Sequence, residues 1–129
     1  MNSVFHSKII HKPYHEAVDH VKEKLKSFGF GVISEINMKE TLKIKIDVDI
    51  RPYLIIGACN PVFANKAIAA EKNIGIFLPC NVVVQQEEEE ATRITVMNPE
   101  YLMPMFENSQ LTELAKEMNE ILVKFLNDL

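Results

Sequence analysis

From Tyr53 to Cys59 the chain is apolar at nearly every position. The run is strand-sized, well short of the roughly 20 residues a membrane helix needs. A strand with no polar side must be shielded from water on both faces, so these residues predict a central strand covered above and below. A second apolar stretch, Ile76 to Val84, has Gly75 before it and Pro79 within it. Proline cannot donate to a sheet ladder, so Pro79 marks a strand start, a bulge or an edge. The ordered strand is therefore expected from Cys80 to Gln85. Two such strands need neighbours and covering helices, and the rest of the chain supplies both.

Val4 to Ile10 alternates as a first strand, stopped by Lys12 and Pro13. Tyr14, Ala17, Val18, Val21, Leu25 and Phe28 then form a one-sided helical stripe. Gly29 stands just past it, where a left-handed cap is wanted. Phe30 to Ile36 reads as a second strand. Asn37 and Glu40 resemble a capping box, predicting a short helix from Met38 that ends near Asp47. Asn60-Pro61 supplies an N-cap and a first-turn proline for a helix to about Lys72, with Val62, Phe63, Ala64, Ala67 and Ile68 inward. The acidic run Gln85 to Glu90 reads as a solvated hairpin tip, since blocks of like charge repel and prefer water. Thr92, Ile94 and Val96 alternate against Arg93 and Thr95 as the return strand. Asn98-Pro99 turns the chain. A final helix follows from a cap at Asn108 or Ser109, with Leu111, Leu114, Ala115, Met118, Leu122, Phe125, Leu126 and Leu129 at three-four spacing. The expected class is α+β: a single mixed or antiparallel sheet of about five strands with helices packed on it. A doubly wound α/β fold is disfavoured by the plain hairpin and the short connections.

A chain of 129 residues suits one hydrophobic core, so residues 1–129 are read as a single domain. The formal net charge of -4 argues against a nucleic-acid partner, which needs a basic face. No apolar run is long enough for a membrane partner. Met1 to Lys12 lacks the apolar core and small-residue cleavage site of an export signal, which points to the cytoplasm. Two cysteines in such a chain are expected to be free thiols rather than a disulfide framework. With four glycines there is no Gly-rich phosphate loop, and no serine has a nucleophile-elbow context. His6, His11, His15 and His20 lack the spacing that puts two ligands on one helix face, and no Cys/His zinc pattern occurs. No cofactor and no metal site is expected from these patterns.

The residues from Phe28 to Val84 carry a resemblance. Phe28-Gly29-Phe30-Gly31-Val32, Gly57-Ala58-Cys59-Asn60-Pro61 and Leu78-Pro79-Cys80-Asn81-Val82 are similar to signatures of the domain-of-unknown-function family number three hundred and two. Asn98-Pro99 resembles its C-terminal turn, with Asn98 where aspartate is commoner. The resemblance spans nearly the whole chain. It implies an α+β fold and self-association, with a dimer favoured, and it implies no activity.

The two Cys-Asn pairs are the chemically distinctive place. Cys59 ends an apolar strand and opens a helix, where unpaired N–H groups and the helix dipole favour a thiolate. Cys80 follows Pro79. Asn60 and Asn81 carry amide donors suited to an anion or oxyanion. The alternative stays open that both cysteines pack as small hydrophobes and that Asn60 is only a cap. If the strands bearing Cys59 and Cys80 are antiparallel neighbours, the end of one meets the start of the other; if parallel, the thiols are separated. Met97, Met103 and Met105 add soft thioethers of the kind that bind copper(I), although methionine also fills irregular core gaps. Three readings follow. The first is a self-associating domain binding a small ligand in a pocket near Asn60, Pro79 and Asn81. The second is a thiol-dependent enzyme or sulfur carrier using Cys80 with Cys59. The third is a copper(I) binder using Cys and Met.

Overall fold

The computed structural model describes residues 3–129. Five strands, β1 (Phe5–Ile10), β2 (Gly31–Asn37), β3 (Tyr53–Cys59), β4 (Cys80–Glu88) and β5 (Ala91–Met97), form one sheet in the order β1-β5-β4-β3-β2. Every pairing is antiparallel, which resolves the expected choice between a mixed and an antiparallel sheet. The helices are α1 (Tyr14–Ser27), α2 (Met38–Ile46), α3 (Pro61–Ala70), α4 (Pro99–Leu102) and α5 (Ser109–Asn127). Two 3₁₀ segments, Lys72–Phe77 and Met103–Phe106, complete the chain.

Four of the five helices, all but α1, begin where the sequence provides side-chain acceptors for their unpaired N–H groups. The Asn37 side chain accepts from the Glu40 N–H, Asn60 from Val62 and Phe63, Asn98 from Glu100, and Asn108 from Gln110 and Leu111. Gly29 ends the first helical unit at φ 88°, a backbone that side-chain-bearing residues resist. Asp47 closes α2 in the left-handed region without being glycine, and its carboxylate meets Lys43 at 2.8 Å.

The register gives the sheet two unlike faces. On the inner face Val96, Val82 and Ile56 stand in one row and Ile94, Val84 and Leu54 in the next, all buried. Ala17, Val21 and Leu25 of α1 and Met118, Leu122, Phe125 and Leu126 of α5 close over them. Burying each large side chain is worth about 1.5–3 kcal/mol, so this layer supplies most of the driving force. On the outer face Ser7, Thr95, Val83, Ile55 and Ile36 form a row across all five strands. Ile9, Arg93, Gln85 and Tyr53 flank it on one side. None of these is buried.

Three expectations are corrected. Tyr53 to Cys59 is not shielded on both faces: Leu54 and Ile56 are buried, while Tyr53 and Ile55 remain partly exposed. Of the α3 side chains expected inward, Val62 and Ile68 are exposed, because α3 packs on α5 and on the 3₁₀ turn that follows it through its other side. The acidic tip is shorter than expected. β4 runs to Glu88, a bulge lies between Gln86 and Glu88, and only Glu89 and Glu90 make the turn. The run therefore spends half of its charge in strand, where Glu87 bonds Arg93 at 2.5 Å.

Candidate functional site

A second, smaller cluster of apolar side chains sits beyond one end of the sheet. Ile74, Met103, Leu111 and Ala115 are buried there, with Phe77, Leu78, Met97 and Phe106 packed around them. The segment after α3 has to bend back to reach β4, and the 3₁₀ turn at Lys72–Phe77 does this while dropping Ile74 inward. Glu71 starts that turn by accepting from the Asn73 N–H at 2.7 Å. Phe77 and Phe106 meet edge to face at 5.8 Å and tie the turn to the 3₁₀ segment before α5.

β3 and β4 pair with Ala58 opposite Cys80 and Gly57 opposite Asn81. The two Cys-Asn pairs consequently meet at one end of the sheet, the antiparallel case. Both cysteines are free and partly buried. Gly57 is required at this junction. A Cβ there would stand 2.1 Å from Ser34 Oγ and 2.9 Å from Pro79 Cγ. The close approach lets the Pro79 ring lie against β3, and the Leu78–Pro79 peptide is cis.

The candidate residues are divided among different surroundings. Cys80 and Asn60 border an apolar cavity of about 60 Å³, walled by Phe63, Ala67, Ile74, Leu111, Ala115 and Met118 among others. Pro79 and Asn81 line a separate hollow of about 170 Å³. Phe77, Leu78 and Met97 separate the two, since they border both. Cys59 lines neither. Its neighbour Asn60 commits its Oδ1 to the cap of α3, at 3.1 and 3.3 Å from the Val62 and Phe63 nitrogens. A broad groove of about 860 Å³ between α3 and α5 is lined by Lys66, Glu113 and Glu117 and holds none of the candidates.

Burial pushes the Cys80 thiol up to about 11, and the neighbouring Cys59 adds to the shift. Removing the thiol from water disfavours the charged form, and a second nearby thiolate would disfavour it further. Met97, Met103 and Met118 place three thioethers on the same cavity as this thiol. Met105 is exposed and lies apart. Met118 was legible only as one position of the α5 stripe, because nothing local distinguishes a core methionine from one at a cavity wall.

The histidines do not assemble. His6 Nε2 lies 2.8 Å from Asn119 Oδ1. His20 on α1 has its pKa lowered by burial, then by Lys12 and Lys24. Among the described residues no group of three His, Cys, Asp or Glu side chains is arranged to hold a metal ion.

The family model described as domain of unknown function DUF302 matches residues 6–129. The chain belongs to the DUF302 family. Among solved structures, the fold is similar to the crystal structure of an uncharacterized conserved DUF302 protein from Bacillus stearothermophilus. That protein is 28% identical over 98% of each chain, with a TM-score of 0.89. No curated protein matches the chain. Among the described residues no helix is long and apolar enough to cross a membrane.

Proposed function

We propose that this DUF302 member is a non-enzymatic, self-associating cytoplasmic domain that binds a small apolar ligand, or the apolar end of one, beside Cys80. The observation that carries the reading is the cavity of about 60 Å³ walled by carbon and sulfur, with Cys80 and Asn60 at its border. A cavity needs only about 10–15 Å³ to admit one water, but water in an apolar space lacks partners, so such a space favours an apolar guest. The raised Cys80 pKa fits a binding wall better than a nucleophile, because the reactive form of a thiol is the thiolate.

Xenon is a suitable probe, since dry apolar cavities take it up. With methyl-labelled methionine, the signals of Met97, Met103 and Met118 are expected to shift saturably with xenon pressure. Exposed Met105 serves as the internal control. A cavity-filling Ala67→Met variant should abolish the response. Uniform small shifts at every methionine, or none, would remove the ligand reading.

The second reading, copper(I) binding, is favoured by the three thioethers gathered around one thiol. Soft sulfur donors select that ion, and binding would release the Cys80 proton. Competition against a copper(I) chelator, with wild type and Cys80→Ala compared, tests it. Equal binding by both would exclude the Cys80 site.

A further inference from the structure

We propose that the hollow at Pro79 and Asn81 is a second subsite of the cavity beside Cys80. Together they take an uncharged amphiphile, its short apolar end in the cavity and its hydrogen-bonding head against Asn81. Resting on the binding reading above, this assignment names the class of ligand.

Consecutive residues of a strand point to opposite sides. Cys80 and Asn81 open β4, so the chain presents a thiol to the cavity and a carboxamide to the hollow at adjoining positions. Met97 stands one residue past the Val82–Val96 pair and Asn81 one residue before it, side by side at the end of the ladder. Phe77, Leu78 and Met97 border both spaces and form the partition between them.

The partition is built to yield. Phe77 closes the 3₁₀ turn Lys72–Phe77, which has six residues. Such turns seldom exceed about three or four residues, and their hydrogen bonds are poorer than those of an α-helix. Only Ile74 anchors this one in the core, while Lys72, Asn73, Gly75 and Ile76 are exposed. Segments with so few buried contacts open at low cost. Met97, on the far side, is unbranched and adapts its shape. Giving up the edge-to-face contact of Phe77 with Phe106 is what joins cavity to hollow, and the sheet ladder is untouched.

Charge and size select the ligand. Among the described residues no Asp, Glu, Lys, Arg or His lines either space. A charged head would lose water there and gain no counter-charge. The Asn81 carboxamide offers both a donor and an acceptor, which suits an alcohol, an amide or a carbonyl. A single placed polar group in an apolar lining fixes orientation. The cavity of about 60 Å³ is well below the roughly 150 Å³ that holds a benzene ring, so the buried end is a chain of a few carbons.

The test uses the full chain with methyl-labelled methionine and three probes of one chain length: 1-pentanol, pentanoate and pentylammonium. 1-Pentanol should shift Met97, Met103 and Met118 saturably, at least about tenfold more tightly than either ion, and leave exposed Met105 in place. Asn81→Leu should weaken 1-pentanol at least about fivefold without changing the xenon response. Asn81→Asp should make pentylammonium the better of the two ions, and serves if the leucine variant folds poorly. Three equal affinities, no saturable 1-pentanol shift, or 1-pentanol binding unaltered in the folded variants would overturn the subsite, and xenon uptake would leave the cavity standing. Failure of xenon and 1-pentanol together removes the binding reading as well.

Discussion

Cys80 stands directly across the β3–β4 ladder from Ala58, which makes Cys59 the next residue along from its partner. The two thiols share one end of the sheet, and the proximity of Cys59 is one of the two causes that raise the Cys80 pKa to about 11. Closeness here works against ionisation rather than for it.

The first prediction concerns that thiol. Its folded pKa lies above the ordinary value of 9.0, so folding favours the protonated form. The resulting stability is fully present below pH 9 and is lost as pH rises through about 11. Two pH units correspond to at most about 2–3 kcal/mol. Urea midpoints measured from pH 8 to 11 should fall for wild type and fall less for Cys80→Ala. Iodoacetamide at pH 6 should leave Cys80 unmodified in the native state, and at about pH 9 labelling should become rapid only after unfolding. Fast native labelling would restore the thiol-enzyme reading.

The second prediction concerns the inner layer. Leu122 is 1% exposed on the face of α5 that meets the sheet. Leu122→Ala is expected to cost about 2–5 kcal/mol in equilibrium denaturation. A loss below about 0.5 kcal/mol is the size of a surface change and would contradict the packing described.

Gly57 gives the third. Ser34 Oγ can rotate away from an added methyl, whereas the Pro79 ring cannot. Gly57→Ala should therefore destabilise by about 1–3 kcal/mol through overpacking. It should also displace β4 and alter the environment of Cys80, readable as amide shifts at Cys80 and Asn81. Unchanged stability and spectra would mean that the strands do not close on Pro79.

The hairpin supplies the fourth. Replacing Glu89-Glu90 with Asn-Gly puts the residues a two-residue hairpin prefers into an exposed turn. The change should lie within about 0.5 kcal/mol of wild type. Glu87→Ala removes the partner of Arg93 and should cost somewhat more, up to about 1 kcal/mol for a half-exposed pair. A large loss from the turn replacement would show that the acidic residues at the tip hold the hairpin together.

The amino-acid sequence determined the local structure because its signals act within a turn or two. Asn37, Asn60, Asn98 and Asn108 start helices by accepting N–H groups two or three residues ahead. Gly29 ends a helix through its own φ, and the α5 stripe predicted its buried side nearly residue for residue. Tertiary structure decided what depends on partners far along the chain. Whether Cys59 and Cys80 meet was set by the antiparallel β3–β4 ladder, which the connecting helix left open. The gathering of Met97, Met103, Met118 and Cys80 at one cavity required four separate elements to converge. The apolar run at Tyr53–Cys59 announced two faces needing cover, yet α1 and α5 both close over the same one. Periodicity records that a face is apolar; only packing decides what will lie against it.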